Sequence, residues 1–123
     1  KWDGITAPDH LITRAAPLPH HPDIQWIFHQ ITTGKELAAE GTAMRHCVLS
    51  YKSRCMQGSC SIWSLSKTDE YGAQSRRLTI ELSAQGLIVQ KRGLANRLPR
   101  PEEESVVQQW ANEMGWGNQS NRW

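Results

Sequence analysis

The stretch Leu78-Thr79-Ile80-Glu81-Leu82-Ser83-Ala84-Gln85-Gly86-Leu87-Ile88-Val89-Gln90-Lys91-Arg92 decides the fold class of this chain. Two runs rich in aliphatic and β-branched residues flank the short polar segment 84–86, a pattern that favours an antiparallel hairpin. Strands are therefore predicted over residues 77–83 and 87–92. A third strand is predicted over residues 60–66, and the polar segment 67–75 between them is predicted to be a surface loop.

Side chains along a strand point alternately to the two faces of the sheet. The residues predicted to face the core are Leu78, Ile80, Leu82, Leu87 and Val89. The opposite face then carries Glu81, Gln90 and Arg92, and Asn96 and Arg97 lie at its rim. One interpretation is an ordinary solvated face, with a Glu–Arg pair worth under about 1 kcal/mol. The other is a binding face, because the segment 90–97 is basic and amide-rich around Gly93, as suits an anionic ligand near backbone N–H groups.

Helices are predicted on both sides of these strands. Thr33 and Glu36 have the spacing of a capping box, so a helix is expected to begin there and to end at Gly41. A second helix is predicted over residues 43–57. Pro101 and the acidic residues that follow predict the first turn of a last helix. Residues 24–32 favour a strand, with a short helix as the alternative. The predicted fold is α+β, with N-terminal helices packed on a three- to four-stranded antiparallel sheet and a C-terminal helix.

Length and composition limit the possible classes of protein. The 123 residues suffice for one core, and no apolar run approaches the roughly 20 residues that span a bilayer. Residues 1–22 are rich in proline and are predicted to be an arm or linker, with residues 23–123 as a single domain. Because the chain does not begin with Met, we expect a processed or excised piece of a longer protein. The net charge of +2 permits a phosphate-bearing partner without requiring one.

Titratable groups crowd into residues 39–51. Met44, Cys47 and Tyr51 share one face of the second predicted helix, which assigns Cys47 to the core and leaves His46 off that face. The three cysteines are an odd number, which favours free thiols in a reducing compartment over a disulfide framework. A zinc site is disfavoured because the cysteines lack close C-x2-4-C pairs, so no metal and no cofactor is predicted.

The same residues carry a resemblance to a known family. The run Leu37-x2-Glu40-Gly41-x2-Met44-x-His46-Cys47-Val48-x2-Tyr51 resembles the opening motif of the PcfJ-like family of bacterial plasmid and phage proteins. Thr79-Ile80-Glu81-Leu82 and Gln90-x-Arg92-Gly93-x2-Asn96 resemble its second half, and together the similarity covers roughly residues 33–116. The resemblance implies a mobile-element protein and does not itself imply an activity. The positions that match its motifs are His46, Cys47, Tyr51, Glu81, Gln90, Arg92 and Asn96.

An RNA-directed enzyme is the leading functional hypothesis, in the form of a metal-independent ribonuclease of bacterial toxin type. Cleavage beside a 2′-hydroxyl needs a base, an acid and cations for the developing phosphorane charge. We assign Glu81 as base, His46 as acid and Arg92 as phosphate clamp, with Tyr51 and Gln90 orienting the reacting groups. The residues assigned to substrate binding are Lys91, Asn96 and Arg97.

Two alternatives stay open. Cys47 could be the nucleophile of a hydrolase or transferase, although adjacent helical residues diverge by about 100°, so His46 could not easily serve as its base. A non-catalytic module that binds nucleic acid or protein is the other alternative. The predicted partners are RNA or a nucleotide-containing substrate and an inhibitor or immunity protein, with no membrane partner. The predicted location is the cytoplasm, or the cytosol of a target cell for a delivered toxin domain.

Overall fold

The computed structural model describes residues 1–45 and 51–118. Its centre is a curled sheet of six strands whose spatial order follows their order along the chain. The strands are β1 (His10–Arg14), β2 (Ile24–Ile31), β3 (Cys60–Thr68), β4 (Gln74–Ser83), β5 (Leu87–Arg92) and β6 (Gly117–Asn118). The helices are α1 (Gly34–Met44), α2 (Lys52–Met56) and α3 (Pro101–Met114), and a 3-10 turn spans Leu94–Asn96.

One face of the sheet packs on α3 and forms the main core. The apolar face of α3 contributes Val106, Val107 and Trp110, which lie against the aromatic residues Phe28 and Trp63 of β2 and β3. The remaining strand residues of this core are Ile12, Trp26, Leu65, Leu78, Ile80, Leu82 and Ile88. Burying this much apolar surface is the main force that holds α3 on the sheet.

The opposite face carries a smaller core under α1 and α2. Leu37 of α1 and Cys55 of α2 pack against Ile31 and Ile62, and Trp2 is buried among them. Thr33 caps α1 as predicted, because its Oγ1 accepts a hydrogen bond of 3.1 Å from the Glu36 backbone N–H. Helices α1 and α2 are short and cover only part of this face. Polar side chains of β4 and β5, among them Glu81 and Gln90, lie beside them.

The predicted fold class is wrong in the size, composition and chain order of the sheet. Six strands replace the expected three or four, β5 and β6 pair in parallel, and β1 and β2 precede the helices. Strand β1 escaped prediction because the prolines of the first 22 residues flank it at Pro8 and Pro17 without entering it. Residues 10–14 thus have regular structure, which the proline content argued against. The division of the chain at residue 22 stays a prediction.

Two local departures have clear backbone causes. Helix α1 continues through Gly41 to Met44, and ends where Arg45 adopts a left-handed conformation with φ of 54°. In β5, Val89 has no partner between the pairs Glu81–Gln90 and Leu82–Ile88, which is a β-bulge. The bulge reverses the expected alternation, so Ile88 and not Val89 points into the core. The helix predicted over residues 43–57 is not one helix as far as the structure describes it. Residues 43 and 44 end α1, α2 covers Lys52–Met56, and residues 46–50 lie outside the described residues.

None of the helices in the described ranges combines the length and apolar character that crossing a membrane requires.

Candidate functional site

Neighbouring strands place the polar side chains of β4 and β5 in register on the sheet face that α1 and α2 partly cover. Glu81 pairs with Gln90, and Thr79 pairs with Arg92, so the side chains of all four residues point to this face. Tyr51 also reaches it, since its Oη donates a hydrogen bond of 3.3 Å to Gln90 Oε1. The register thus places the predicted residues Glu81, Gln90 and Arg92 on one face, and the hydrogen bond to Gln90 brings Tyr51 to it.

Arg54 completes this arrangement and was not among the residues predicted from the sequence. Its Nη2 lies 2.8 Å from Glu81 Oε2, and its guanidinium carbon lies 5.1 Å from the centre of the Tyr51 ring. We call Tyr51, Arg54, Glu81 and Gln90 the Glu81 cluster. Because Tyr51 and Arg54 are three residues apart, helical spacing from a predicted site residue was the signal that could have found Arg54.

Burial and charge shape the cluster's electrostatics. Glu81 is buried, with 8% of its surface exposed, whereas half of the Arg54 side chain is exposed. The Glu81 carboxylate raises the pKa of Arg54 above its usual value. Burial, together with the negative charge of Glu81, raises the pKa of the Tyr51 phenol. Tyr51 is therefore a hydrogen-bond donor at neutral pH, and the cluster presents a cation to solvent above a buried carboxylate.

The other residues of the segment 90–97 lie elsewhere. Lys91 is buried on the α3 side of the sheet, where its Nζ lies 2.6 Å from Glu104 Oε1 and 3.1 Å from Asn118 Oδ1. The two Nη atoms of Arg97 donate to the two carboxylate oxygens of Glu103 at 2.8 and 2.9 Å. Asn96 is exposed in the 3-10 turn with φ of 64°. Lys91 and Arg97 thus bind carboxylates of α3, and their charges are not directed at the Glu81 cluster.

Arg92 is half-buried, and its Nη1 donates a hydrogen bond of 3.1 Å to the Lys91 carbonyl oxygen. His46 and Cys47, assigned above as acid and as alternative nucleophile, lie outside the described residues. In residues 1–45 and 51–118, no three His, Cys, Asp or Glu side chains are grouped so as to hold a metal ion.

A groove of about 400 Å³ lies on the same sheet face, between α1 and strands β2 to β4. On one side Glu40, which is fully buried, accepts hydrogen bonds from Thr79 Oγ1 and from Arg76 Nη1. On the other side His29 lies between two carboxylates, 2.7 Å from Glu36 and 2.9 Å from Asp9. The charges that line the groove are therefore largely paired with one another.

The His29–Glu36 pair predicts a pH-dependent stability. Partial burial lowers the pKa of His29, but its hydrogen bonds to Glu36 and Asp9 outweigh that effect and raise it above 6.5. Burial raises the pKa of Glu36, but the His29 hydrogen bond outweighs it and the net shift is downward from 4.5. A raised imidazole pKa stabilises the fold below about 6.5, and a lowered carboxyl pKa stabilises it above about 4.5.

We therefore expect His29→Gln to lower the urea midpoint most between about pH 4.5 and 6.5 and least above the folded pKa of His29. The effect should stay under about 1 kcal/mol, because both side chains are substantially exposed. Gln25→Ala, at an exposed position of β2 that carries no titratable group, is the control and should shift the midpoint equally at every pH. A His29→Gln difference that is constant across this range would contradict the assignment.

Comparison with known proteins identifies the family of this chain. The sequence model described as PcfJ-like protein matches residues 20–108. The chain therefore belongs to the PcfJ-like family, as its motifs indicated. A search of curated proteins and a search of solved structures each found no match.

Proposed function

We propose that this domain is an RNA-directed enzyme and that the Glu81 cluster, with Arg92, is its site. The observation that carries the proposal is the contact of a buried carboxylate with an exposed guanidinium. Glu81 Oε2 lies 2.8 Å from Arg54 Nη2, beside the Tyr51–Gln90 hydrogen bond. RNA cleavage requires a base, an acid and a cation for the phosphate. The cluster offers Glu81 as the base and Arg54 as a cation, with Tyr51 and Gln90 beside them to orient the substrate.

The proposed reaction is an internal transfer at phosphorus. Glu81 removes the proton of a ribose 2′-hydroxyl, the 2′-oxygen forms a bond to phosphorus, and the bond to the 5′-oxygen breaks. His46 supplies the proton that the leaving 5′-oxygen takes up. Arg92 stabilises the negative charge on the phosphoryl oxygens, and Arg54 shares this role because half of its side chain reaches solvent. No metal is needed in this scheme.

A ribonuclease of toxin type must be held inactive in the cell that makes it. The proposal therefore includes an inhibitor protein that covers the polar face, and a cytosolic site of action. The partly exposed cations of this face, Arg54 and Arg76, suit an acidic inhibitor surface.

Glu81→Gln is the variant that tests the proposal. We expect it to slow cleavage of a labelled single-stranded RNA by about 10²-fold, because it removes the base while keeping side-chain size. Arg92→Ala should also lower the cleavage rate. His46→Ala should lower it too, because no imidazole then supplies a proton to the leaving 5′-oxygen. The measurement is the appearance of 2′,3′-cyclic phosphate ends, with EDTA present and absent.

Glu70→Gln and Lys35→Ala are the matched controls, since Glu70 lies in the turn between β3 and β4 and Lys35 lies at the exposed start of α1. Both should cleave as wild type does. If wild-type protein leaves RNA intact under every condition, the ribonuclease proposal is rejected. Binding of RNA without turnover would then favour a non-catalytic module, and loss of an activity in Cys47→Ser alone would favour a cysteine-dependent enzyme.

A further inference from the structure

Two cysteines meet at the junction of α2 and β3. Cys55 lies in α2, Cys60 is the first residue of β3, and their sulfur atoms are 3.9 Å apart. The intervening turn is tight, because Gly58 and Ser59 donate backbone hydrogen bonds to the carbonyl oxygens of Cys55 and Arg54. Both side chains are buried, so each thiol has the other as its neighbour rather than bulk water.

Both thiols also line a cavity of about 320 Å³ beside the N-terminal segment. Gly4, Ile5, Met56 and Gly58 form other parts of its wall. A space of this size exceeds the roughly 30 Å³ that one water molecule occupies in the liquid, so the two cysteines border open space and are not close-packed on this side. The pair thus combines contact between thiols with a cavity beside them, and a disulfide as large as oxidised glutathione reaches the sulfurs through local opening of the five-residue helix α2.

The reactivity of the two thiols is unequal. Its hydrogen bond with Cys55 lowers the pKa of the Cys60 thiol, and the positive charge of Arg54 acts in the same direction. The same hydrogen bond, together with burial, raises the pKa of the Cys55 thiol. Cys60 is therefore the thiol that ionises first and attacks first.

We propose that Cys55 and Cys60 are a modification site that forms a reversible disulfide by exchange with a small disulfide such as oxidised glutathione, and that this bond moves Arg54 relative to Glu81. The expected slowing of RNA cleavage rests on the proposed function above. The formation of the disulfide and the displacement of Arg54 are independent of that function.

The exchange balances in two steps. The Cys60 thiolate attacks one sulfur of oxidised glutathione, forming a mixed disulfide and releasing one glutathione thiolate. The Cys55 thiol then loses its proton to solvent and attacks the Cys60 sulfur, which releases a second glutathione thiolate. The protein loses two electrons, and the small disulfide gains them.

We expect bond formation to combine rotation of the two cysteine side chains with a movement of α2 towards β3. The distance between the two sulfur atoms has to shorten from 3.9 Å to about 2.05 Å, the length of a disulfide bond. Helix α2 spans only Lys52–Met56 and Arg54 precedes Cys55 in it, so a movement of this short helix is expected to shift the Arg54 side chain as well. A contact as close as Arg54 Nη2 to Glu81 Oε2 will not survive such a shift unchanged.

The test uses a Cys47→Ser background, so that only these two thiols remain. The protein is equilibrated in glutathione buffers of increasing oxidised fraction, and free thiols are counted by alkylation and mass measurement. We expect both thiols to disappear together, peptide mapping to join Cys55 to Cys60, and reduction to restore both. Separate glutathione adducts on each cysteine, or a dimer linked between chains, would overturn the disulfide.

The displacement is measured separately, by a double-mutant cycle of Arg54→Ala and Glu81→Gln on urea stability in both redox states. In the disulfide state the Arg54–Glu81 coupling free energy should be less than about half of its value in the thiol state. An unchanged coupling would overturn the proposed displacement. Oxidation should also slow RNA cleavage about tenfold or more in Cys47→Ser, and not in Cys47→Ser with Cys60→Ser. Absence of cleavage in both the thiol and the disulfide state would reject the proposed function. The count of free thiols and the double-mutant cycle would still decide whether the disulfide forms and moves Arg54.

Discussion

Glu103→Ala is expected to lower the free energy of unfolding by about 3–5 kcal/mol, because it removes one partner of a buried ionic network. The Glu103 side chain is fully buried. It accepts hydrogen bonds from Arg97 and Arg77, and from the backbone N–H of Arg100. Without the carboxylate, Arg97 and the backbone N–H of Arg100 lose this acceptor, and Arg77 keeps only its contact with the half-exposed Glu102.

The loss should also depend on pH with a defined sign. Burial raises the pKa of Glu103, but hydrogen bonds from Arg97, Arg100 and Arg77 outweigh it and lower the pKa below 4.5. A lowered carboxyl pKa stabilises the fold above its unfolded value of about 4.5, and this contribution is lost as the pH falls through the folded pKa. The difference between wild type and variant should therefore be full at pH 7 and shrink under acid conditions.

Glu102→Ala is the matched control, because Glu102 is the preceding residue of α3 and is half exposed. It also pairs with Arg77, yet solvent can replace it, so we expect a loss under about 1 kcal/mol. Chemical denaturation of both variants at pH 7 and at pH 4 provides the measurement. Equal losses for the two variants would show that burial does not set the strength of this network.

Trp110→Ala is expected to cost about 3–5 kcal/mol, as for other buried large aromatic residues. Trp110 has no exposed surface, and its ring stacks on Phe28 with 4.3 Å between centroids. Trp63 and Trp116 meet the same ring edge-on at 5.2 and 4.8 Å. Truncation leaves a cavity at the point where α3 meets the sheet, and Phe28, Trp63 and Trp116 each lose their contact with the indole ring.

Trp110→Phe separates packing from hydrogen bonding. Trp110 Nε1 has no acceptor among the described residues, so phenylalanine keeps the stacking and removes a buried unpaired donor. Its loss should be clearly smaller than that of alanine. Gln108→Ala, on the exposed side of α3, removes only exposed hydrogen bonds with Asn112 and Asn118 and should cost less than about 1 kcal/mol. A Trp110→Ala protein as stable as Gln108→Ala would contradict the assigned core.

Local patterns predicted several elements well. The strand predicted over residues 87–92 has those bounds, and the Thr33 cap and the acidic start of α3 are present. These features depend on residues close together in the chain. The bulge at Val89 is different, because it depends on how β5 pairs with β4. The alternation of side chains within β5 alone does not predict it. Strand β6 has only two residues, too few for alternation to show.

The site was predictable in part for the same reason. Glu81 and Gln90 lie on strands joined by a short turn, so their shared face follows from alternation and hairpin pairing. Arg54 comes from α2 and meets Glu81 only through tertiary packing, so the sequence did not select it. Lys91 was assigned to substrate binding because the sequence shows its positive charge but not its partner. Its buried contact with Glu104 depends on where α3 lies.

The agreement between strand order and chain order has a consequence for how the fold assembles. Strands β3, β4 and β5 are joined by short turns, whereas residues 32–59 separate β2 from β3. Because loop-closure entropy grows with the length of the connection, the three-strand unit closes at a lower entropic cost than the pairing of β2 with β3. Glu81 and Gln90 thus become neighbours within a local unit. The long segment that carries Tyr51 and Arg54 meets them only when the distant pairing forms.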